Sequence, residues 1–177
     1  KDIVATFNWD SLLVQAYIRN QHIVKLPRLV YLHGNVSIGL CKEDNTIGVN
    51  GCKCSKCKKN FVPTKLLFPV QNKNYEQDYF IKRSWDEIRL GFKNAFMITI
   101  FGYSAPKTDY AAISLLKDAW GDKNQRALEQ FEIIDIKEEG EGINSCKQFI
   151  HTHHYDYRRN FYDSWIANHP RRTGEAY

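Results

Sequence analysis

The chain has 177 residues, of which 43% are apolar and 14% aromatic, and its formal net charge is +5. This is long enough for a real hydrophobic core and too aromatic for a disordered polymer. The positive excess is mild and sits in short clusters such as Lys56, Lys58, Lys59 and Arg171, Arg172. It reads as a solvated surface, so nucleic-acid binding is not expected. No apolar run approaches the roughly 20 residues of a membrane span, and no secretory leader is visible.

In chain order, Ile3 to Phe7 is a short apolar run with β-branched residues and is predicted as a buried strand. Asp10 can cap a helix whose apolar stripe is Leu12, Leu13, Ala16 and Tyr17. Pro27 ends the connection, and Leu29 to Leu32 forms a second strand closing on His33-Gly34. From Asn35 to Pro69 the chain is rich in Cys, Lys, Gly and Asn without a long period of either kind, as in an insertion held by something other than a core. Ser84-Trp-Asp-Glu87 matches a capping box ahead of a helix through Ile88, Phe92 and Ala95. Met97 to Phe101 is a third strand, followed by the loop Gly102 to Asp109, with Thr108 or Asp109 as cap of the next helix and Gly121 just past its end. Phe131 to Ile136 is a fourth strand, and Lys137 to Ser145 reads as an acidic, Gly-rich, solvated loop. A last amphipathic helix is expected over Phe161 to Asn168, before Pro170.

Strands that are apolar on both faces and alternate with helices predict an α/β fold, a Rossmann-like parallel sheet with helices on both faces. The expected organisation is a nucleotide-binding domain over 1–34 and 70–150, a zinc-binding insertion over 35–69 and a helical tail over 151–177.

Four of the five cysteines lie between positions 41 and 57. Disulfide frameworks spread their cysteines, so this grouping reads as metal ligation in a reducing compartment, the cytoplasm. The spacing Cys41-x10-Cys52-x-Cys54-x2-Cys57 predicts a structural zinc site, because a C-x2-C pair spans two corners of a tetrahedron through a tight turn. Cys54 and Cys57 are the best pair and Cys41 the best distant partner; Cys52 is a ligand or a bystander. Flanking lysines favour the thiolates.

In an open parallel sheet, ligands bind at the carboxyl ends of the strands. Here those ends carry Asn8 and Asp10, then His33 and Gly34, then Gly102, Tyr103 and Ser104. An imidazole among them can serve as general base near neutral pH. Each residue also has a plain explanation: Asn8 or Asp10 as a helix cap, His33 as a turn histidine, Ser104 as a loop hydroxyl.

Thr6-Phe-Asn-Trp-Asp10, Leu32-His-Gly34, the Cys-rich insertion and Phe101-Gly-Tyr-Ser-Ala-Pro-Lys-Thr-Asp109 together resemble the ordered landmarks of the sirtuin family, and more closely its bacterial, defence-related sirtuin-like branch. The resemblance covers roughly residues 3 to 120. It implies a zinc-bearing Rossmann-like domain that binds NAD and cleaves the nicotinamide–ribose bond. In that reading Asn8 contacts the nicotinamide ribose or orders the attacking water, Asp10 supports that site, and His33 is the general base. Thr6, Gly34, Gly102 and Ser104 complete the cofactor contacts. The branch implies NAD hydrolysis; the alternatives are an NAD-dependent protein-lysine deacylase and a non-catalytic nucleotide-sensing or zinc-stabilised interaction module. The family opens with a Gly-rich phosphate loop, and no G-x-G-x-x-G stands in this sequence, so the chain reads either as a fragment whose N-terminal unit or partner domain lies elsewhere or as one that has lost the phosphate site. Association into an oligomer is compatible with such a chain.

Three further features have plain readings. His151, His153 and His154 read as part of a polar strand rather than a metal site. Tyr155, Tyr157, Phe161, Tyr162 and Trp165, mixed with Arg158 and Arg159, read as the apolar face of the last helix or as a contact with a missing domain rather than as a base-stacking surface. Cys146 reads as an inert core thiol.

Overall fold

Residues 2–23, 25–68, 75, 77–106, 109–121, 130–147 and 155–169 are described by a computed structural model. They form two compact units, 1–88 and 89–177.

The first unit begins with β1 (Ile3–Thr6), which pairs in parallel with β2 (Arg28–Tyr31) from Ile3 opposite Arg28 to Thr6 opposite Tyr31. The amide of Leu32 extends the ladder by donating to the Thr6 carbonyl at 2.9 Å. Between the strands runs α1 (Leu12–Arg19), and the carboxylate of Asp10 accepts the amide of Leu12 at 2.9 Å, satisfying a donor that the first helical turn leaves open. The Cys-rich segment is built on a small antiparallel sheet of β3 (Ile38–Cys41), β4 (Thr46–Val49) and β5 (Val62–Pro63), in the order β4-β3-β5.

The division between the units falls inside α2 (Tyr79–Asn94). This helix starts earlier than the capping box implies. The carboxylate of Asp78 accepts the Ile81 amide at 3.1 Å, while Ser84 is buried in mid-helix and donates its hydroxyl to the Phe80 carbonyl at 3.0 Å. The motif was matched by residues that tertiary burial uses differently.

The second unit holds three parallel strands, β6 (Met97–Phe101), β7 (Gln130–Ile134) and β8 (Tyr155–Arg158), in that order. The α/β class with parallel strands is therefore present, as one parallel ladder in the first unit and two in the second. Ile113 and Trp120 of α3 (Tyr110–Trp120) form a buried core with Phe131 and Ile133 of β7, and with Cys146. Gly121 ends α3 with φ 83°, a left-handed backbone that glycine adopts without strain. Thr108 lies outside the described residues, and Asp109 stands at the cap position without a side-chain hydrogen bond to the helix.

Three expectations for this half are corrected. Tyr155, Tyr157 and Arg158, assigned to the face of a last helix in a helical tail, lie on β8 instead, where pairing with β7 claims them. The stretch assigned to a solvated loop contains α4 (Glu139–Cys146), which buries Gly142 and Cys146. Its one buried face is carried by a glycine and a cysteine, too weak an apolar stripe to show as a period. The helix expected over Phe161 to Asn168 is a 3₁₀ turn, Phe161–Asp163, followed by α5 (Trp165–Asn168). Ser164 interrupts it in an extended conformation (φ −78°, ψ 156°), and its side chain accepts the Ala167 amide. Glu132, fully buried on β7, accepts the Trp165 amide at 2.6 Å and the Thr99 hydroxyl at 3.1 Å. This contact outweighs the local preference for one continuous helix. His151, His153 and His154, and Arg171 and Arg172, lie outside the described residues.

Candidate functional site

The first group of candidates stands where β1 and β2 end. His33 stands two residues past the end of β2 and is 8% exposed. Its Nε2 lies 3.2 Å from the Tyr75 hydroxyl, its ring meets Phe7 edge-on at 4.8 Å, and Tyr75 in turn packs on Trp85 at 4.8 Å. The indole N–H of Trp85 donates to the Leu32 carbonyl at 3.1 Å, so the imidazole is set in an aromatic box whose far wall is pinned to the strand that carries it. The His33 carbonyl accepts the Leu67 amide at 2.9 Å. Gly34 then turns the chain at φ 86°, where a Cβ would run into the Lys65 carbonyl oxygen. A side chain is excluded there by both conformation and space.

The end of β1 is less enclosed. Asn8 is exposed, and its amide donates to the Thr6 hydroxyl at 3.0 Å, which commits Thr6 to a local turn. The Asp10 side chain is occupied with the start of α1. Sequence reasoning missed the residue that ties the two strand ends together. Asn35 is 1% exposed; its Nδ2 donates to the Asp10 carbonyl at 2.5 Å and its Oδ1 accepts the Ser37 amide at 2.9 Å. The Val36 amide adds a bond to the Trp9 carbonyl at 2.9 Å. Tyr75 was missed as well; it stands 42 residues from His33 and carries no motif. The indole N–H of Trp9 is covered and has no hydrogen-bond partner among the described residues, a donor left open beside Asn8 and Asp10 in the chain.

Gly102 and Ser104 belong to the second unit, just beyond β6, and both are exposed. Gly102 has φ 61° and donates its amide to the Ile134 carbonyl at 2.9 Å. Burial raises the Tyr103 hydroxyl above its ordinary range.

The second group is metal-like. The ligand atoms of Cys41, Asp44, Cys54 and Cys57 all lie within 4.8 Å of one another. Cys41 Sγ and Cys57 Sγ are 3.4 Å apart, and Asp44 Oδ2 is 3.6 Å from Cys41 Sγ and 3.2 Å from Cys54 Sγ. A zinc tetrahedron built from ordinary bond lengths has edges of about 3.8 Å between sulfurs and about 3.5 Å from sulfur to oxygen, so the three close spacings fit within about 0.4 Å, while the group as a whole spans up to 4.8 Å. Cys41 and Cys54 are buried and Cys57 is half-buried, whereas Cys52 is exposed and stands outside the group. The fourth member is thus Asp44, which the x2 spacing from Cys41, equal to that of Cys54 and Cys57, could have revealed.

Hydrogen bonds from Cys57 and Cys54 hold the Asp44 carboxyl below its usual range. The Thr46 hydroxyl, 3.4 Å away, lowers the Cys54 thiol. At Cys57 the Lys59 amide lowers the thiol, but the bond to Asp44 and burial outweigh it and push it up to about 12. The Cys41 and Cys54 thiols thus share one carboxylate as hydrogen-bond acceptor. A divalent cation with soft-ligand preference replaces the thiol protons, and the group is compatible with zinc.

No family model matches the sequence, and comparison with curated proteins finds no relative. Among the solved structures that match are Sir2 proteins, each with a TM-score below 0.5. One, a mutant Sir2 homologue in complex with 2'-O-acetyl ADP ribose, has a TM-score of 0.49 and 16% identity, covering 94% of this chain and 57% of its own. A Sir2 homologue–NAD complex has a TM-score of 0.43 and 16% identity, covering 89% of this chain and 52% of its own. A third, described as the structural basis for sirtuin substrate affinity, has a TM-score of 0.42 and 18% identity, covering 77% of this chain and 53% of its own. The chain spans about half the length of these structures.

Proposed function

We propose that this chain is a sirtuin-like domain that binds NAD and cleaves its nicotinamide–ribose bond, with water as the acceptor. The observation that carries the reading is the buried His33 at the carboxyl end of a parallel strand, held by Phe7 and Tyr75 next to the strand end that bears Asn8. A buried, oriented imidazole is a suitable proton acceptor. In the reaction the bond from the ribose anomeric carbon to nicotinamide breaks, a bond to the water oxygen forms, and the water proton passes to His33. Nicotinamide leaves as a neutral molecule through an oxocarbenium-like transition state, so the paired carboxylates of ordinary glycosidases are not needed. Asn8 orders the water or the ribose. Asp10 acts as a positioning residue, since its carboxylate serves the first turn of α1. A zinc ion on the Cys-rich module is structural: four protein ligands leave no position for water.

The test is nicotinamide release from NAD, with His33→Ala and Asn8→Ala as variants. His33→Ala is expected to lose on the order of 100-fold or more in turnover, with NAD still raising Tm. Full activity in His33→Ala would refute the assignment. ADP-ribose as product supports hydrolysis; transfer to an acyl-lysine peptide would move the assignment to deacylation.

A further inference from the structure

Two residues compete for the fourth corner of the metal site, Cys52 and Asp44. We propose that the metal is held by three thiolates and one carboxylate, from Cys41, Asp44, Cys54 and Cys57, and that Cys52 is a free thiol. This rests on the structural-zinc reading above and names its ligand set.

The backbone carries the argument independently of the side-chain distances. Cys41 and Thr46 are opposed in the β3–β4 ladder, and the Cys54 amide donates to the Lys59 carbonyl at 2.8 Å. Each cysteine therefore faces the residue five positions on. In both hairpins the second ligand stands three positions after the first: Asp44 after Cys41, Cys57 after Cys54. In both, the next residue is left-handed, Asn45 at φ 49° and Lys58 at φ 64°. The chain thus makes the same metal knuckle twice, once with a carboxylate at the position where the other has a thiol. A left-handed residue other than glycine is uncommon, and two at the same offset from the same pattern mark one construction.

Cys52 has no place in either knuckle. Its amide donates to the Val49 carbonyl at 3.1 Å and its carbonyl accepts the Phe61 amide at 2.8 Å, and its side chain is exposed. Asp44, by contrast, reaches all three cysteine sulfurs: Cys41 at 3.6 Å and Cys54 at 3.2 Å, and Cys57 through the contact that lowers its carboxyl. Three thiolates keep the site selective for zinc or cobalt over magnesium and calcium. The carboxylate keeps the ligand charge of a four-thiolate site with one fewer oxidisable sulfur.

The test is cobalt titration of the full chain, read by the thiolate-to-cobalt charge-transfer band. Cys52→Ser is expected to leave band intensity and affinity unchanged. Asp44→Asn should keep the three-thiolate band but bind on the order of 100-fold more weakly. Asp44→Cys should raise the band by about one third, as the thiolate count goes from three to four. A thiol reagent should find one reactive group, Cys52, in the zinc-loaded protein, since Cys146 is 1% exposed. Loss of band intensity in Cys52→Ser, with Asp44→Asn unchanged, would overturn the ligand set while leaving the metal site standing. No band in the wild type would overturn the zinc reading itself.

Discussion

Asn35→Ala is expected to loosen the junction of β1 and β2 without touching His33. The substitution removes the bond to the Asp10 carbonyl and the bond from the Ser37 amide. At about 0.5–1.5 kcal/mol per bond, the loss is about 2 kcal/mol. That corresponds to a fall in Tm of roughly 4–8 °C for a chain of this size melting cooperatively. Asn35→Asp is a sharper probe, because it keeps the shape and turns the donor into an oxygen facing the Asp10 carbonyl. Burial and that carbonyl raise the introduced carboxyl's folded-state pKa above its unfolded value of about 3.9. Protonated, it donates as the amide does, so its contribution is present at the acid end and is lost as pH rises through the raised folded value. Differential scanning fluorimetry of variant and wild type from pH 4 to 7 reads this directly. The Tm deficit of Asn35→Asp should be smallest at pH 4 and grow toward pH 7. A deficit independent of pH, together with an Asn35→Ala variant as stable as the wild type, would refute the assigned role of this amide.

Gly140 and Gly142 lie on α4 two residues apart and should respond oppositely to alanine. Nothing lies within 4 Å of a Cβ at Gly140, so Gly140→Ala gains helix propensity, up to about 1 kcal/mol. At Gly142 a Cβ would run into the Tyr157 hydroxyl, which is held by the Lys137 carbonyl at 2.8 Å, so Gly142→Ala should lose about 1–2 kcal/mol net by urea titration. Burial, with Asp135 adding to it, pushes the Cys146 thiol up to about 11. Its folded pKa is raised, so stability falls as pH climbs from the unfolded value of about 8.5 toward 11, a slope that Cys146→Ala should flatten in urea unfolding between pH 8 and 11. Iodoacetamide at pH 8 should label Cys146 only after denaturant is added.

The elements that were legible in the sequence are those whose periodicity is driven by burial along one segment. β1, β2, β6 and β7 are short apolar runs bounded by polar turns, and the structure has strands there within a residue or two. The grouping of cysteines likewise announced a metal-like module, and Leu32-His-Gly34 marked the strand end that bears the buried imidazole. What stayed hidden depends on partners distant in sequence. α4 has no apolar stripe, and its existence rests on Gly142 and Cys146 meeting Tyr157 and the β7 core. The break at Ser164 depends on a carboxylate 33 positions away that takes the Trp165 amide. Asp44 looks like an ordinary turn residue until two hairpins bring it to three sulfurs, and Asn35 and Tyr75 carry no pattern at all. A local run of side chains determines which segments will be strands and which residue types are on hand. Only tertiary structure decides which polar atoms are dry enough, and near enough to one another, to act together, because that choice is made by pairing across tens of residues.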